Sequence, residues 1–171
     1  MMAACLAEGT TTLTNVAKEP EIIDLAELLN KMGAKITGAG TDEITIEGVR
    51  DLHGTEFSIP ADRIEAGTYL VAAVVTGGEI TINGINPERL NKVLDKLKET
   101  GAKIITTKNS ISLSMNQQKP KPVDITTAPF PEFPTDMQAQ FSVINAISDG
   151  VSNIYETVFE NRFMHVQELN R

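Results

Sequence analysis

The sequence predicts an α/β (α+β) protein built from a repeated β-α-β-α-β-β unit, and three observations lead to that prediction. The phrase Gly-Ala-Lys-Ile occurs at Gly33–Ile36 and again at Gly101–Ile104, an offset of 101 − 33 = 68 residues. The same offset relates Asn15 to Asn83, which lie in two segments of alternating apolar and polar residues. In both copies an amphipathic helical pattern separates these features, which indicates an internal repeat of about 70 residues.

The first copy begins with the strand-like segment TTTLTNV and continues into the helical segment PEIIDLAELLNKMG. Pro20 favours a helix start because its φ angle is already helical, and Gly33 provides the helix end. The segment AKITGAGTDEITIEGV then predicts a pair of strands with glycine at the turn. The apolar stripe of the helix consists of Ile22, Leu25, Leu28, Leu29 and Met32.

The second copy repeats this order with EITINGI, the helical segment PERLNKVLDKLKETG and the strand pair AKIITTKNSISLSM. A further helix precedes it, at roughly Arg63 to Val75, and its residues are apolar on nearly every side. A helix of that kind is normally buried on several faces. The stripe of the amphipathic helix consists of Leu90, Val93, Leu94 and Leu97.

Counting these elements predicts one complete unit from Glu56 to Met115, with strand, buried helix, strand, amphipathic helix and two strands. Residues 1–48 supply part of a preceding unit, and a third unit starts at Val123 and stops at Arg171. Terminal strands of incomplete units lack partners. We therefore expect a portion of a longer protein or a truncated gene product, of marginal stability and prone to self-association.

Two aspartates lie at predicted helix starts. Asp62 is followed by Glu65, and Thr135 by Gln138, each three residues later, which predicts a capping box at both places. Asp136 then has two interpretations: a first-turn carboxylate that interacts favourably with the helix dipole, or a catalytic base. Spacing alone leaves both open.

The composition excludes several classes of function. Lysine and arginine number 15 against 23 acidic residues, a net charge of −8, which argues against a nucleic-acid binder. The single cysteine cannot form an internal disulfide, which fits a reducing, cytoplasmic location. No apolar run is long enough to span a membrane. His53 and His165 have no partner at metal-ligand spacing, so we expect no metal.

Longer strings of residues resemble a known family. FPTDMQAQF (Phe133–Phe141) and ETVFENRFMHVQEL (Glu156–Leu169) resemble the UDP-N-acetylglucosamine enolpyruvyl transferases, and AKEPEIIDLAELLNKMGAKI, TIEGV and PADRIEAGTYLVAA resemble the same family in the same order. The resemblance implies domains that are inside-out α/β barrels of three β-α-β-α-β-β units. It implies that residues 1–53 end the first domain, that 54–61 cross between domains, and that 62–171 form about half of the second.

The resemblance also implies a reaction and a site. The family transfers the enolpyruvyl group of phosphoenolpyruvate to the 3′-hydroxyl of UDP-N-acetylglucosamine, releasing phosphate without a cofactor, in the first committed step of peptidoglycan synthesis. It assigns the general base to Asp136, and contacts with the nucleotide sugar to Thr135, Asp136, Val158 and Phe159. Further charged positions that it implies at the interdomain cleft are Glu19, Asp62, Arg63, Glu160 and Arg162.

The chain also departs from the family pattern. Cys5 does not match the reactive cysteine, and several family cations that bind the anionic substrates have no match among these residues. We therefore expect no turnover by these 171 residues alone, although the full-length family member is an active monomer. Two alternatives remain: a non-catalytic remnant or self-associating folding unit, and the sister activity, 3-phosphoshikimate 1-carboxyvinyltransferase.

Overall fold

A computed structural model describes residues 1–171 and groups them into two units, Met1–Pro60 and Ala61–Arg171. Single-turn 3₁₀ helices occur at Ala3–Leu6, Pro87–Leu90 and Thr135–Met137. The strands are β1 Thr10–Thr14, β2 Lys35–Thr37, β3 Glu43–Glu47, β4 Glu79–Asn83, β5 Lys103–Thr107, β6 Ser110–Ser114, β7 Ile125–Thr126 and β8 Ile154–Tyr155. The helices are α1 Pro20–Lys31, α2 Arg63–Val75, α3 Asn91–Glu99, α4 Gln138–Ile147 and α5 Met164–Leu169. No helix has the length and apolar character needed to cross a bilayer.

The first unit packs α1 on an antiparallel sheet with the strand order β1-β3-β2. The side chain of Asn30 fastens the helix to β2, because it donates to the carbonyl of Ile36 at 2.9 Å and accepts from its N–H at 2.8 Å. Gly33 has a φ of +101°, the left-handed conformation that commonly ends a helix. The buried residues of this unit include Cys5, Ala26, Leu29, Ile36, Ile44 and Ile46.

The second unit contains a sheet with the equivalent order, β4-β6-β5, again antiparallel. The helix α3 packs beside it, and Val93, Leu94 and Leu97 of α3 are buried together with Leu90 of the preceding 3₁₀ helix. The order strand, amphipathic helix and two strands thus occurs twice with the same sheet topology, so the internal repeat predicted from the sequence is confirmed.

The apolar helix α2 has the bounds that the sequence predicts, and most of its faces are buried in the core of the second unit. Gly67 faces the turn before α4 at close range, because a Cβ there would lie 2.9 Å from the sulfur of Met137. Met137 is fully buried. The contact fixes the position of the Thr135–Met137 turn relative to α2.

The strand predicted at the start of the Glu56–Met115 unit is wrong, because residues 48–62 contain neither helix nor strand. Strand conformation is stabilised by a ladder of backbone hydrogen bonds to a neighbour. Residues 55–61 form no such bonds, and Pro60 has no N–H to contribute to one. The complete repeat described by the structure therefore begins at α2.

Candidate functional site

The turn that opens α4 differs from the predicted capping box. The hydroxyl of Thr135 donates 2.8 Å to Oε2 of Glu156 and gives no hydrogen bond to the helix, while Pro134 occupies the N-cap position. Gln138 is fully buried, and its side-chain amide has no hydrogen-bond partner. The prediction failed because the Thr135 hydroxyl donates its hydrogen bond to the carboxylate of Glu156, which belongs to a distant segment of the chain. At the other predicted capping box the side chain does cap the helix: the carboxylate of Asp62 accepts from the N–H groups of Ile64 and Glu65 at the start of α2.

Glu156 connects three segments of the second unit. Its Oε1 accepts from the hydroxyl of Thr127 at 2.8 Å and from the N–H groups of Val158 at 2.9 Å and Phe159 at 3.1 Å. Its Oε2 accepts from Thr135, as described above. Thr127 follows β7 and Glu156 follows β8, and these two strands pair in parallel, so their ends lie side by side. The short sheet thereby places the 156–159 loop against the Thr135–Met137 turn.

The hydrogen bonds around Glu156 govern its ionisation. Desolvation by partial burial raises the pKa of its carboxyl, but the N–H groups of Phe159 and Val158 and the hydroxyls of Thr127 and Thr135 oppose it. The net effect lowers the pKa below its ordinary value of 4.5. The carboxylate is therefore ionised at neutral pH, when it acts only as an acceptor.

Arg162 joins the loop to the turn. Its Nη2 donates to Oδ1 of Asp136 at 2.7 Å, and its Nη1 donates to the Thr135 hydroxyl at 3.2 Å. The guanidinium also lies 5.2 Å from the ring centre of Phe159. The Asp136 side chain is 53% exposed, and its Oδ2 forms no hydrogen bond within the chain. A half-exposed carboxylate with one free oxygen can accept a proton from a bound molecule.

The structure thus brings together five of the residues singled out in the sequence, which share one surface of the second unit: Thr135, Asp136, Val158, Phe159 and Arg162. Val158 and Phe159 are exposed there, at 37% and 56%. Glu160 is also exposed and contributes no hydrogen bond or ion pair to this group. We call these five residues together with Glu156 the turn–loop cluster.

The remaining candidates lie elsewhere. The hydrogen bonds of the Asp62 side chain are those of a helix cap. Arg63 is 6% exposed, with its guanidinium 5.8 Å from the ring centre of Phe130, and it borders a cavity of about 160 Å³. Glu19 belongs to the first unit, where it precedes α1 and one of its carboxylate oxygens is buried without a partner.

Sequence reasoning missed Glu156 and Thr127. No local pattern marks them, because the two hydrogen bonds of Glu156 to threonine hydroxyls span 29 and 21 residues. The one available signal is that Glu156 precedes Thr-Val-Phe directly after a short strand, where a carboxylate can accept from the backbone amides two and three residues later.

Comparison with known proteins assigns the family. A family model described as EPSP synthase (3-phosphoshikimate 1-carboxyvinyltransferase) matches residues 1–171. The chain belongs to this enolpyruvyl transferase family. The fold and family predicted from the sequence resemblance are therefore confirmed, and the helix and sheet content agrees with them.

Individual relatives of this chain carry a more specific enzyme name than the family model does. The chain is 58% identical to the UDP-N-acetylglucosamine 1-carboxyvinyltransferase of Actinobacillus pleuropneumoniae serotype 3, over all 171 residues and 40% of that protein. It is 60% identical to the enzyme of the same name from Ruthia magnifica, over 41% of it. The chain thus spans about two-fifths of the length of the curated relatives it matches.

Solved structures give the same fold. The enolpyruvyl transferase NikO from Streptomyces tendae superposes with a TM-score of 0.83 at 27% identity, over 98% of this chain and 40% of that one. An EPSP synthase from Acinetobacter baumannii superposes with a TM-score of 0.57 at 18% identity, over 90% of this chain and 36% of that one. The second likeness supports the fold alone.

Proposed function

We propose that this chain is a portion of a UDP-N-acetylglucosamine 1-carboxyvinyltransferase and carries its general base and part of its sugar site. The relatives that match the whole chain at about 58% identity bear that name. The observation that carries the proposal is the position of Asp136, half exposed beside the Val158–Phe159 loop and held to it by Arg162. Those residues are the ones that the sequence resemblance assigns to the nucleotide sugar.

The proposed reaction forms a bond between the 3′-oxygen of the sugar and C2 of phosphoenolpyruvate, and it releases phosphate. The hydroxyl proton leaves as this bond forms, so a carboxylate within hydrogen-bond distance is needed. Asp136 supplies it through Oδ2, because Oδ1 is occupied by Arg162. Thr135 and the Val158–Phe159 backbone would hold the sugar beside it.

The whole reaction needs more positive charge than this surface offers. Both proposed substrates are anionic, and the chain has a net charge of −8. Arg162, the cation of the turn–loop cluster, already pairs with Asp136. Stabilising developing charge is commonly the largest catalytic contribution. We therefore propose that these residues bind the sugar but release no phosphate above a buffer control.

The domain assignment is also a proposal. We assign residues 1–53 to the end of one enolpyruvyl transferase domain, 54–61 to the crossing and 62–171 to about half of the other. Two facts support it: residues 48–62 contain no helix or strand, and the first unit ends at Pro60. UDP-N-acetylglucosamine, the proposed sugar substrate, is a precursor for cell-wall synthesis, and we propose a cytoplasmic location on that ground.

A calorimetric titration with UDP-N-acetylglucosamine tests the proposal. We expect Asp136→Asn to weaken binding about tenfold, because a hydrogen bond to a charged acceptor is replaced by one to a neutral amide. Asp149→Asn is the matched control, since Asp149 is an exposed carboxylate that pairs with Lys119. Equal affinity in all three proteins, or no binding to the wild type, would contradict the proposal.

A further inference from the structure

We propose that Glu156 is a positioning residue that holds the Val158–Phe159 backbone and the Thr135 hydroxyl in the single arrangement that the sugar recognises. The inference rests on the proposed function, because it extends the proposed sugar site by one residue. Glu156 itself is partly exposed, and both of its carboxylate oxygens already accept hydrogen bonds, so we assign it no role in proton transfer.

The contacts of Glu156 are divided between its two oxygens. Oε1 accepts from the hydroxyl of Thr127 and from the two consecutive amides of Val158 and Phe159, so it determines the course of the loop backbone. Oε2 accepts from Thr135, in the turn before α4. Four donors from three separate segments meet on one carboxylate, and each would lose its acceptor if the carboxylate were removed.

Thr135 transmits this arrangement to the proposed base. Because the Thr135 hydroxyl donates its hydrogen bond to Glu156, its oxygen lone pairs face Arg162, which donates to that oxygen at 3.2 Å. The other end of the same guanidinium holds Asp136 at 2.7 Å. Arg162 and Asp136 are thus the charged groups that these hydrogen bonds connect to Glu156. Hydrogen bonds therefore run without a break from Glu156 through Thr135 and Arg162 to Asp136.

A neutral amide cannot replace the carboxylate here. In Glu156→Gln the remaining oxygen can still accept from the backbone amides of Val158 and Phe159, but the NH₂ group then faces the Thr135 hydroxyl. Thr135 would have to accept from both this NH₂ and Arg162, and its own proton would lose its acceptor. We expect Arg162 to shift and Asp136 to lose its present orientation, although the fold of the unit persists.

Amide chemical shifts of the isotope-labelled chain, followed from neutral to acidic pH, provide the first test. We expect the Val158 and Phe159 amides to titrate together, with one midpoint below the ordinary carboxyl value of 4.5. This measurement needs no variant, so it holds even if a substitution unfolds the chain. Amides that do not titrate, or that titrate with different midpoints, would overturn the proposal.

Substitutions provide the second test. In Glu156→Gln the shared titration step should vanish, the Asp136 amide should shift, and affinity for UDP-N-acetylglucosamine should fall about tenfold. Glu156→Asp keeps the charge on a shorter side chain and should restore part of that affinity. Glu168→Gln is the control with the same charge change, since Glu168, in α5, is exposed and pairs with Arg171; it should match the wild type.

The two proposals fail in different ways. Wild-type affinity in Glu156→Gln, with an unmoved Asp136 amide, overturns the positioning role while the sugar site stands. A wild-type chain that does not bind the sugar overturns the proposed function, and with it the sugar-binding purpose assigned to Glu156. Loss of affinity in Glu156→Gln without rescue by Glu156→Asp also overturns the proposal, because the effect would then not depend on the negative charge.

Discussion

Arg162 joins the two parts of the turn–loop cluster through different nitrogens of one guanidinium, to Asp136 and to Thr135. Its side chain is 36% exposed and that of Asp136 is 53% exposed, and ion pairs of that kind contribute little to stability. The planar fork of arginine nevertheless matches two acceptors at once, and it can also stack on Phe159. The pair therefore matters more for holding Thr135 and Asp136 in place than for the free energy of unfolding.

Arg162→Lys separates these two contributions. A lysine keeps the charge but reaches only one of the two acceptors, so we expect the free energy of unfolding to fall by less than ~1 kcal/mol. Affinity for UDP-N-acetylglucosamine should fall severalfold because Thr135 and Asp136 are no longer held together. Urea denaturation and calorimetry measure the two quantities. A large loss of stability with unchanged affinity would show that the pair is a structural contact.

The sequence singled out Thr135, Asp136, Val158, Phe159 and Arg162 through short strings shared with a family, and these residues do lie together. It did not predict which atoms contact each other. Helix caps depend on neighbours in the chain, which is why the cap at Asp62 was predictable and the acceptor of Thr135 was not. The partner of Thr135 lies 21 residues away, and only the folded structure brings it near.

At the scale of elements, hydrophobic periodicity predicted α1, α2, α3 and the individual strands β1 to β6, because each pattern is local and strongly periodic. The strand expected from Glu56 failed because a strand is defined by its partner, and no neighbour pairs with residues 55–61. The 3₁₀ turn at Thr135–Met137 was also missed. It lies where the buried Met137 packs against Gly67 of α2, a contact that sequence periodicity does not encode.

A glycine at the end of β3 gives an element-scale prediction. A Cβ on Gly48 would lie 1.6 Å from the carbonyl oxygen of Ala7, so the backbone would have to move. We expect Gly48→Ala to destabilise the first unit by about 3 kcal/mol, measured by urea denaturation. Gly54→Ala is the matched control, because a Cβ there meets nothing within 4 Å. Equal stability of the two variants would contradict the packing described at Gly48.

At the scale of the whole molecule, the internal repeat explains why the repeated phrase Gly-Ala-Lys-Ile could predict the order of helices and strands in both units. The same strand order, β1-β3-β2 and β4-β6-β5, follows from the same pattern in both units. Each of these sheets has two edge strands, and edge strands can pair with other chains. We therefore still predict self-association and marginal stability for these residues. Membership of the enolpyruvyl transferase family, by contrast, is established by the match over residues 1–171.

Recognition of UDP-N-acetylglucosamine by the turn–loop cluster can be followed by amide shift mapping of the labelled chain, with UDP-N-acetylglucosamine and 3-phosphoshikimate titrated separately. We predict that the nucleotide sugar moves the amides of Thr135, Asp136, Val158 and Phe159, and that 3-phosphoshikimate at the same concentration leaves them in place. A stronger response of these four amides to 3-phosphoshikimate, or a response to the nucleotide sugar confined to other residues, would contradict the claim.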